Sequence, residues 1–191
     1  MMKDVMVDLE TLDTEADAVI LSIGACYFDP IKGHIGEVFD RVVDVDTCLK
    51  KNMKISASAL NFWLKNPKAA EAVFGDEVSK VSLTKALASF FAFLKYESGD
   101  RLGKVRLWAN DPSFDKSMIT YSARACGVQY PLDFWNTRCV RTVLGFLPPV
   151  LFKRWKEDNP RQGYHQASYD AIYQAQYVSY VLRELGCEEL F

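Results

Sequence analysis

Long apolar runs, paired cysteines and an excess of either charge are all missing from this sequence. No stretch approaches the roughly 18 consecutive apolar residues of a membrane-spanning helix, so we expect no membrane association. The chain starts Met-Met-Lys-Asp and leads straight into a short strand pattern that carries charge. It lacks the apolar region and small-residue cleavage site of a signal peptide, and we therefore expect a cytoplasmic protein.

The cysteines are few and scattered, and no two of them form a C-x-x-C pair. The sequence contains five of them, at Cys26, Cys48, Cys126, Cys139 and Cys187. An odd number without paired spacing argues against a disulfide framework and against a zinc site. We predict free thiols in a reducing compartment.

The charge balance argues against one class of nucleic-acid-binding protein. The net charge is −2 and the pI is near 5.7, whereas proteins that coat long nucleic acids usually present a basic face. An enzyme that holds only a few nucleotides at a chain end remains compatible with this composition. Carboxylates gathered around divalent cations also make a sequence look more acidic than its loaded site.

The order of predicted elements indicates one α/β domain over residues 1–191, in which a strand meander precedes the helices. Alternation and β-branched runs predict strands over residues 4–10, 18–28, 38–45, 105–109 and 133–136. Apolar spacing predicts helices starting near Ser56 and Ser82 and over residues 114–125, 137–144 and 167–185. Gly99 and Gly103 bracket a predicted loop, and residues 153–164 read as a polar loop.

Asp8 and Glu10 are the first candidate site residues. On a strand, residues i and i+2 face the same side, so both carboxylates project from one face while Val5, Val7 and Leu9 project from the other. Adjacent like charges raise each other's pKa unless a cation lies between them. Magnesium or manganese suits oxygen ligands. The alternative is an exposed acidic pair at a strand end.

His165 and Asp170 precede and open the last predicted helix. Five residues within a helix would turn the two side chains apart by roughly 140°. They converge only if His165 lies in the loop before the helix, which Gly163 and Tyr164 favour. The helix dipole alone also explains an acidic residue in a first turn. The other histidine, His34, is expected to be a solvated turn residue.

Two aspartates follow the fourth predicted strand. Asp111 stands in an Asn-Asp-Pro-Ser turn, where aspartate commonly accepts hydrogen bonds from the backbone. Asp115 falls early in the next helix. We favour Asp115 for chemistry and Asp111 for formation of the turn.

Taken in order, these residues form three motifs. They are Asp8-Leu9-Glu10, Asn110 followed by Phe114-Asp115, and His165 followed by Asp170. This set resembles the DEDDh exonucleases of the RNase H-like superfold, and it spans most of the chain. The strings around His165 and over residues 60–64 are similar to small stand-alone bacterial and phage members. Thr11-Leu12-Asp13 and the long 44–104 connection depart from the commoner pattern.

The resemblance implies an α/β, RNase H-like (DnaQ-like) fold with a mixed sheet of about five strands, the first three antiparallel, flanked by helices. It implies a 3′–5′ exonuclease that converts single-stranded DNA or RNA ends to nucleoside 5′-monophosphates. Two Mg²⁺ or Mn²⁺ ions about 4 Å apart would bridge the scissile phosphate. Asp8, Glu10, Asp115 and Asp170 would hold the metals, and His165 would act as general base.

The predicted contacts with substrate are less specific. The resemblance and the residue types point to Thr11, Leu12, Phe62, Trp63, Asn110, Phe114 and Arg161. Trp63 and Phe62 would stack on bases, although their helical spacing fits ordinary core packing as well. Lys153, Arg154, Lys156 and Arg161 would bind phosphates or form a solvated charged loop.

Two alternative functions remain at this point, and the assembly of the protein is a separate question. Asp8-Leu9-Glu10-Thr11 superficially resembles the start of aspartyl-phosphate phosphatases, but that chemistry needs a second aspartate where Glu10 stands. A catalytically silent nucleic-acid-binding module on the same fold is a second alternative. By resemblance alone, a homodimer is one option for the assembly.

Overall fold

The computed structural model describes residues 2–96, 102–163 and 165–188. The strands are β1 (Asp4–Thr11), β2 (Ile20–Phe28), β3 (Ile35–Val43), β4 (Lys80–Val81), β5 (Arg106–Ala109) and β6 (Thr137–Cys139). The helices are α1 (Val45–Leu49), α2 (Ala57–Lys65), α3 (Pro67–Phe74), α4 (Leu83–Tyr96), α5 (Asp115–Ala125), α6 (Val140–Leu144), α7 (Pro149–Asp158) and α8 (Ala167–Glu184). Short 3₁₀ turns cover Leu102–Lys104 and Phe134–Asn136.

The strands form one mixed sheet in the order β4-β3-β2-β1-β5-β6. The prediction that the first three strands are antiparallel is confirmed. β5 runs parallel to β1, β6 to β5, and β4 to β3. The sheet therefore has six strands where about five were predicted. β4 was missed because two residues are too short to show a period.

Two segments differ from their predicted structure on the C-terminal side of the sheet. The last strand is Thr137–Cys139 and not residues 133–136, which form a 3₁₀ turn and the approach to it. The helix predicted over residues 137–144 therefore begins only at Val140. The predicted polar loop over residues 153–164 is helical up to Asp158, because Pro149 opens α7 and Trp155 is buried on its inner face. One buried aromatic among charged residues gives too weak an apolar period to be recognised from sequence.

In the helical region after β3, α2 begins and ends at the predicted residues. Ser56 caps α2, its side-chain oxygen accepting a hydrogen bond from the Ala59 amide at 3.2 Å. Asn66-Pro67 ends α2 as predicted, but Pro67 then opens α3, a helix that was not predicted. Proline suits the first turn of a helix because its missing N–H would have no partner there.

The two faces of the sheet bury different cores. Val5, Val7 and Leu9 of β1 lie in the larger core, which α4 and α5 cover. Met6 lies on the opposite face with Trp108, in the core beneath α8. Asp8 and Glu10 share this second face, so the predicted alternation of β1 is confirmed.

Smaller predictions can also be compared with the structure. All five cysteines are free, and Cys26 and Cys48 are buried. His34 is exposed in the turn between β2 and β3. Within the described residues, no helix has the length and apolarity needed to cross a bilayer. Gly99 and Tyr164 lie outside the described residues.

The approach of α8 to the sheet depends on Gly24. Gly24 of β2 pairs with Asp8 of β1, and a Cβ atom at residue 24 would clash with the backbone of Ala167 and Ser168. The N-terminus of α8 therefore rests directly on the β2 backbone. This contact brings the first turn of α8 over the carboxylates of β1.

We expect Gly24→Ala to destabilise the protein by about 1–3 kcal/mol or more, because backbone must move to admit the methyl group. Thermal unfolding monitored by circular dichroism measures the loss. Gly103→Ala is the matched control, since a Cβ at residue 103 meets no atom of the described residues within 4 Å. Equal melting temperatures for the two variants would contradict the packing argument.

Candidate active site

The five predicted site residues come from four neighbouring segments. β1 supplies Asp8 and Glu10, and Asp115 is the first residue of α5, shortly after β5 ends. Asp170 lies in the first turn of α8, and His165 lies in the loop before it. Because β1 and β5 are parallel, their carboxyl ends meet at one edge of the sheet.

Glu10, His165 and Asp170 form the tightest group. Each offers one donor atom, and these atoms lie within 4.8 Å of one another. Glu10 and Asp170 are buried, with 7% and 2% of their surface exposed, while His165 is half-buried. The two carboxylates offer the hard oxygen donors that a divalent cation accepts, and the imidazole lies beside them.

The carboxylates are destabilised as anions. Burial raises the pKa of Glu10 to about 8, with a further contribution from Asp170. Burial raises the pKa of Asp115 to about 7. Burial, followed by repulsion from Asp115, Glu10 and Asp170, raises the pKa of Asp8 well above its ordinary value. Without a cation, part of this site therefore holds protons at neutral pH.

Asp115 and Asp111 have distinct surroundings. The Asp115 carboxylate accepts a hydrogen bond from the Leu9 amide at 3.2 Å, which ties it to β1 between the two other carboxylates. Asp111 accepts hydrogen bonds from the amide and hydroxyl of Ser113 and pairs with Arg141. Asp111 thus forms the predicted turn. A metal-binding role for Asp115 stays a prediction.

His165 occupies the predicted loop position, and aromatic rings hold its side chain. Its backbone φ is 58°, close to the 60° of Gly163, so the chain turns sharply before α8 begins. The ring of Phe62 meets the imidazole edge-to-face at a centroid distance of 4.7 Å, and the Trp63 ring is 6.5 Å away. Burial lowers the pKa of His165, which favours the neutral imidazole.

Gln174 is a site residue that was not predicted. Its side-chain amide donates a hydrogen bond to Asp8 Oδ1 at 2.6 Å. Its Oε1 atom is buried and has no hydrogen-bond partner among the described residues. The residue follows Asp170 by four positions on α8, so helical spacing puts both on the same face. That spacing was the available signal.

Arg161 reaches the site from the segment between α7 and α8. Its Nε atom donates to Asp170 Oδ1 at 2.7 Å, and its Nη2 pairs with Asp170 Oδ2. Lys156 of α7 lines the same cavity, which has a volume of about 340 Å³. The other lining residues include Phe152, Tyr173 and Tyr177, none of which was predicted.

A second cavity of about 330 Å³ adjoins the first, and Glu10 and His165 line both. The predicted substrate residues Thr11, Phe62, Trp63 and Phe114 line the second cavity, and Asn110 and Arg161 line the first. Leu12 differs from these residues, because it is only 2% exposed and packs in the larger core. Its role in substrate binding stays a prediction.

Trp63 occupies a position between packing and the cavity. It is only 4% exposed, and its indole N–H donates to the Thr11 carbonyl at 2.9 Å. Core packing, the alternative to base stacking, therefore accounts for most of the Trp63 side chain. Phe62 is 37% exposed and offers more of its ring to the cavity.

The raised pKa values predict how pH affects the metal-free protein. A carboxyl group with a higher pKa in the folded state keeps a proton that the unfolded state has lost, so stability falls as pH rises between the two values. That interval runs from 4.5 to about 8 for Glu10 and from 3.8 to about 7 for Asp115. In EDTA, the melting temperature should fall between about pH 5 and about pH 8.

Saturating Mg²⁺ should make this decline shallower, because a cation bound by ionised carboxylates stabilises the folded state. Glu10→Gln should remove part of the decline in EDTA, since it removes one titrating group. Differential scanning calorimetry across the pH series measures both effects. The same slope with and without Mg²⁺ would contradict the electrostatic explanation.

Several solved structures share this fold. The nuclease domain of 3′hExo, a DEDDh family member bound to rAMP, matches with a TM-score of 0.64 at 12% identity, over 98% of this chain and 94% of that one. Exonuclease X in complex with 5′ overhanging duplex DNA matches with a TM-score of 0.56 at 18% identity, over 96% and 93%. Exonuclease I matches with a TM-score of 0.64 at 10% identity, and this chain covers 40% of its length.

The sequence comparison with families is decisive, although no curated protein matches the chain significantly. The model of the 3′–5′ exoribonuclease Rv2179c-like domain matches residues 3–182. That range contains all three motifs and every strand and helix of the fold up to the last turn of α8. The chain therefore belongs to the Rv2179c-like 3′–5′ exoribonuclease domain family and is a 3′–5′ exonuclease with the DEDDh fold.

Proposed function

We propose that this exonuclease is metal-dependent and releases nucleoside 5′-monophosphates from the 3′ ends of single-stranded nucleic acid, with RNA preferred over DNA. The observation that carries the proposal is the group of Glu10, His165 and Asp170 donor atoms within 4.8 Å. The preference for RNA rests on the description of the family. Residues 1–191 would act as one exonuclease domain.

The residues of the site fit two Mg²⁺ or Mn²⁺ ions. The donors are hard oxygen atoms, and burial and mutual repulsion destabilise the anionic forms of Asp8 and Glu10. The buried Oε1 atom of Gln174 has no hydrogen-bond partner within the described part of the chain. Asp8, Glu10, Asp115 and Asp170 would hold the ions. When bound, the ions would polarise the scissile phosphate and stabilise the leaving 3′ oxygen.

His165 would take the proton from the attacking water. Burial favours its neutral form, which is the form that accepts a proton. The imidazole nitrogen near the Glu10 and Asp170 carboxylates is the accepting atom. Phe62 and Trp63 hold the ring through edge-to-face contacts, so the base reaches the reaction already oriented.

The two cavities would divide the work of holding the substrate. The second cavity, with its aromatic lining of Phe62 and Phe114, suits the base and sugar of the last nucleotide. The first cavity contains Lys156 and Arg161, whose charges suit phosphate oxygens. Glu10 and His165 line both cavities, so the scissile bond would lie between them.

A labelled-strand assay tests the proposal. Incubation with 5′-labelled single-stranded RNA in Mg²⁺ should give a ladder that shortens from the 3′ end, and EDTA should abolish it. The isosteric change Asp8→Asn should reduce the rate by more than about 100-fold, because it removes a metal-binding charge. Asp76→Asn, in an exposed turn after α3, is the control.

Other outcomes identify the alternatives. Binding of RNA without cleavage would favour a catalytically silent binding module. Release of phosphate from small phosphomonoesters would favour the phosphatase alternative. Faster degradation of matched single-stranded DNA than of RNA would contradict the proposed preference.

His165→Ala separates the role of base from the role of metal ligand. We expect cleavage to slow by about 10²–10⁴-fold while Mg²⁺ affinity, measured by isothermal titration calorimetry, stays nearly unchanged. His34→Ala, which alters the exposed histidine, is the matched control. A large loss of Mg²⁺ affinity in His165→Ala would assign His165 to the metal site and contradict the general-base role.

A further inference from the structure

The pairing of Arg161 with Asp170 occupies a carboxylate that the proposed mechanism assigns to metal binding. Nε and Nη2 of the guanidinium engage both oxygens of Asp170. Bidentate pairing of arginine with a carboxylate is the strongest geometry for this type of contact. The Asp170 side chain is 3% exposed and that of Arg161 is 25% exposed, so water screens the pair only in part.

The guanidinium and a divalent cation compete for the same region. Asp170 also lies with Glu10 and His165, and Arg161 is close enough to Glu10 to favour its ionised form. Two positive groups at the same carboxylate oxygens repel each other strongly where water is scarce. Binding of a metal ion to Asp170 therefore requires the guanidinium to withdraw from at least one oxygen.

The position of Arg161 in the chain permits such a movement. α7 ends at Asp158 and α8 begins at Ala167, so Arg161 lies on the segment between the two helices. Its guanidinium also lies 5.9 Å from the centre of the Tyr173 ring, on the wall of the first cavity. A change of rotamer can move the charge along this wall without disturbing either helix.

A phosphate group offers Arg161 an equivalent partner. The planar guanidinium matches two phosphate oxygens as well as it matches two carboxylate oxygens. Lys156 lines the same cavity and adds a second positive charge nearby. The phosphate of a bound strand would thus replace Asp170 as the partner of the Arg161 guanidinium.

We propose that Arg161 is an exchangeable counter-ion. It neutralises Asp170 in the metal-free enzyme, moves away from that carboxylate when a metal ion binds, and then binds a phosphate of the nucleic acid. The first two steps concern only this chain and a divalent ion. The third rests on the proposed function. Loss of Arg161 would therefore have opposite effects on metal binding and on substrate binding.

Arg161→Met tests the exchange, because it removes the charge and keeps much of the side-chain volume. Titration calorimetry with Mg²⁺ should show binding at least about fivefold tighter than in the unaltered protein. In saturating Mg²⁺, the KM for single-stranded RNA should rise about tenfold. Arg161→Lys keeps the charge but loses the planar guanidinium that binds two oxygens at once. It should give intermediate values of Mg²⁺ affinity and KM.

Arg183→Met is the matched control, since Arg183 is exposed in the last turn of α8 and its replacement changes the net charge equally. It should leave both quantities unchanged. Weaker or unaltered Mg²⁺ binding in Arg161→Met would overturn the proposal, and so would an unaltered KM. If Arg161→Met fails to fold, Arg161→Lys gives the same comparison with Arg183→Met.

The result also separates this proposal from the proposed function. Tighter Mg²⁺ binding in Arg161→Met by a protein that cuts no RNA would support the counter-ion steps and refute the nuclease mechanism. Normal RNA cleavage by the unaltered protein, together with unaltered Mg²⁺ binding by Arg161→Met, would refute the exchange alone.

Discussion

Negative charge held away from water is the constraint on which the rest of this structure depends. β1, α5 and α8 each bring aspartate or glutamate to one edge of the sheet, and burial raises the pKa of Asp8, Glu10 and Asp115. Repulsion from the other carboxylates of the site adds to the effect at Asp8 and Glu10. Each neighbouring group relieves part of this cost. The Leu9 amide donates to Asp115, and the Gln174 amide donates to Asp8. Such contacts keep the carboxylates in place without replacing a cation.

The scaffold brings these charges together through features that contain no charge. Gly24 lets the backbone of α8 rest on β2, which sets the height of Asp170 above Asp8. The left-handed backbone at Gly163 and His165 turns the chain so that the imidazole precedes the helix and still points at the carboxylates. Phe62 completes this arrangement by packing against the imidazole. The geometry of this candidate site thus depends on backbone conformation and aromatic packing as much as on the acidic residues.

Local sequence patterns predicted part of the fold and of the candidate site. The alternation of β1 predicted that Asp8 and Glu10 share a face, because strand geometry alone decides it. The turn at Asp111 and the cap at Ser56 were also predicted, since both depend on residues within a few positions. Together with the motifs, these patterns predicted the fold.

Contacts between segments that are distant in the sequence could not be predicted from local patterns. The pairing of Arg161 with Asp170 depends on where α7 ends, and α7 itself was read as a loop because its charged residues hide the buried Trp155. The burial of Trp63 and Leu12 depends on how α2 lies on the sheet, which no local spacing describes. Gln174 is the exception, because its distance of four residues from Asp170 was visible in the sequence.

The alternation of β1 has a consequence for folding. Val5, Val7 and Leu9 enter the larger core, while Asp8 and Glu10 face α8. If β1 slipped by one residue against β2, every side chain would change sides. The slipped strand would drive Asp8 and Glu10 into the larger core, whose described members are apolar side chains. The acidic pair therefore disfavours the misregistered sheet and helps the nascent chain to pair correctly.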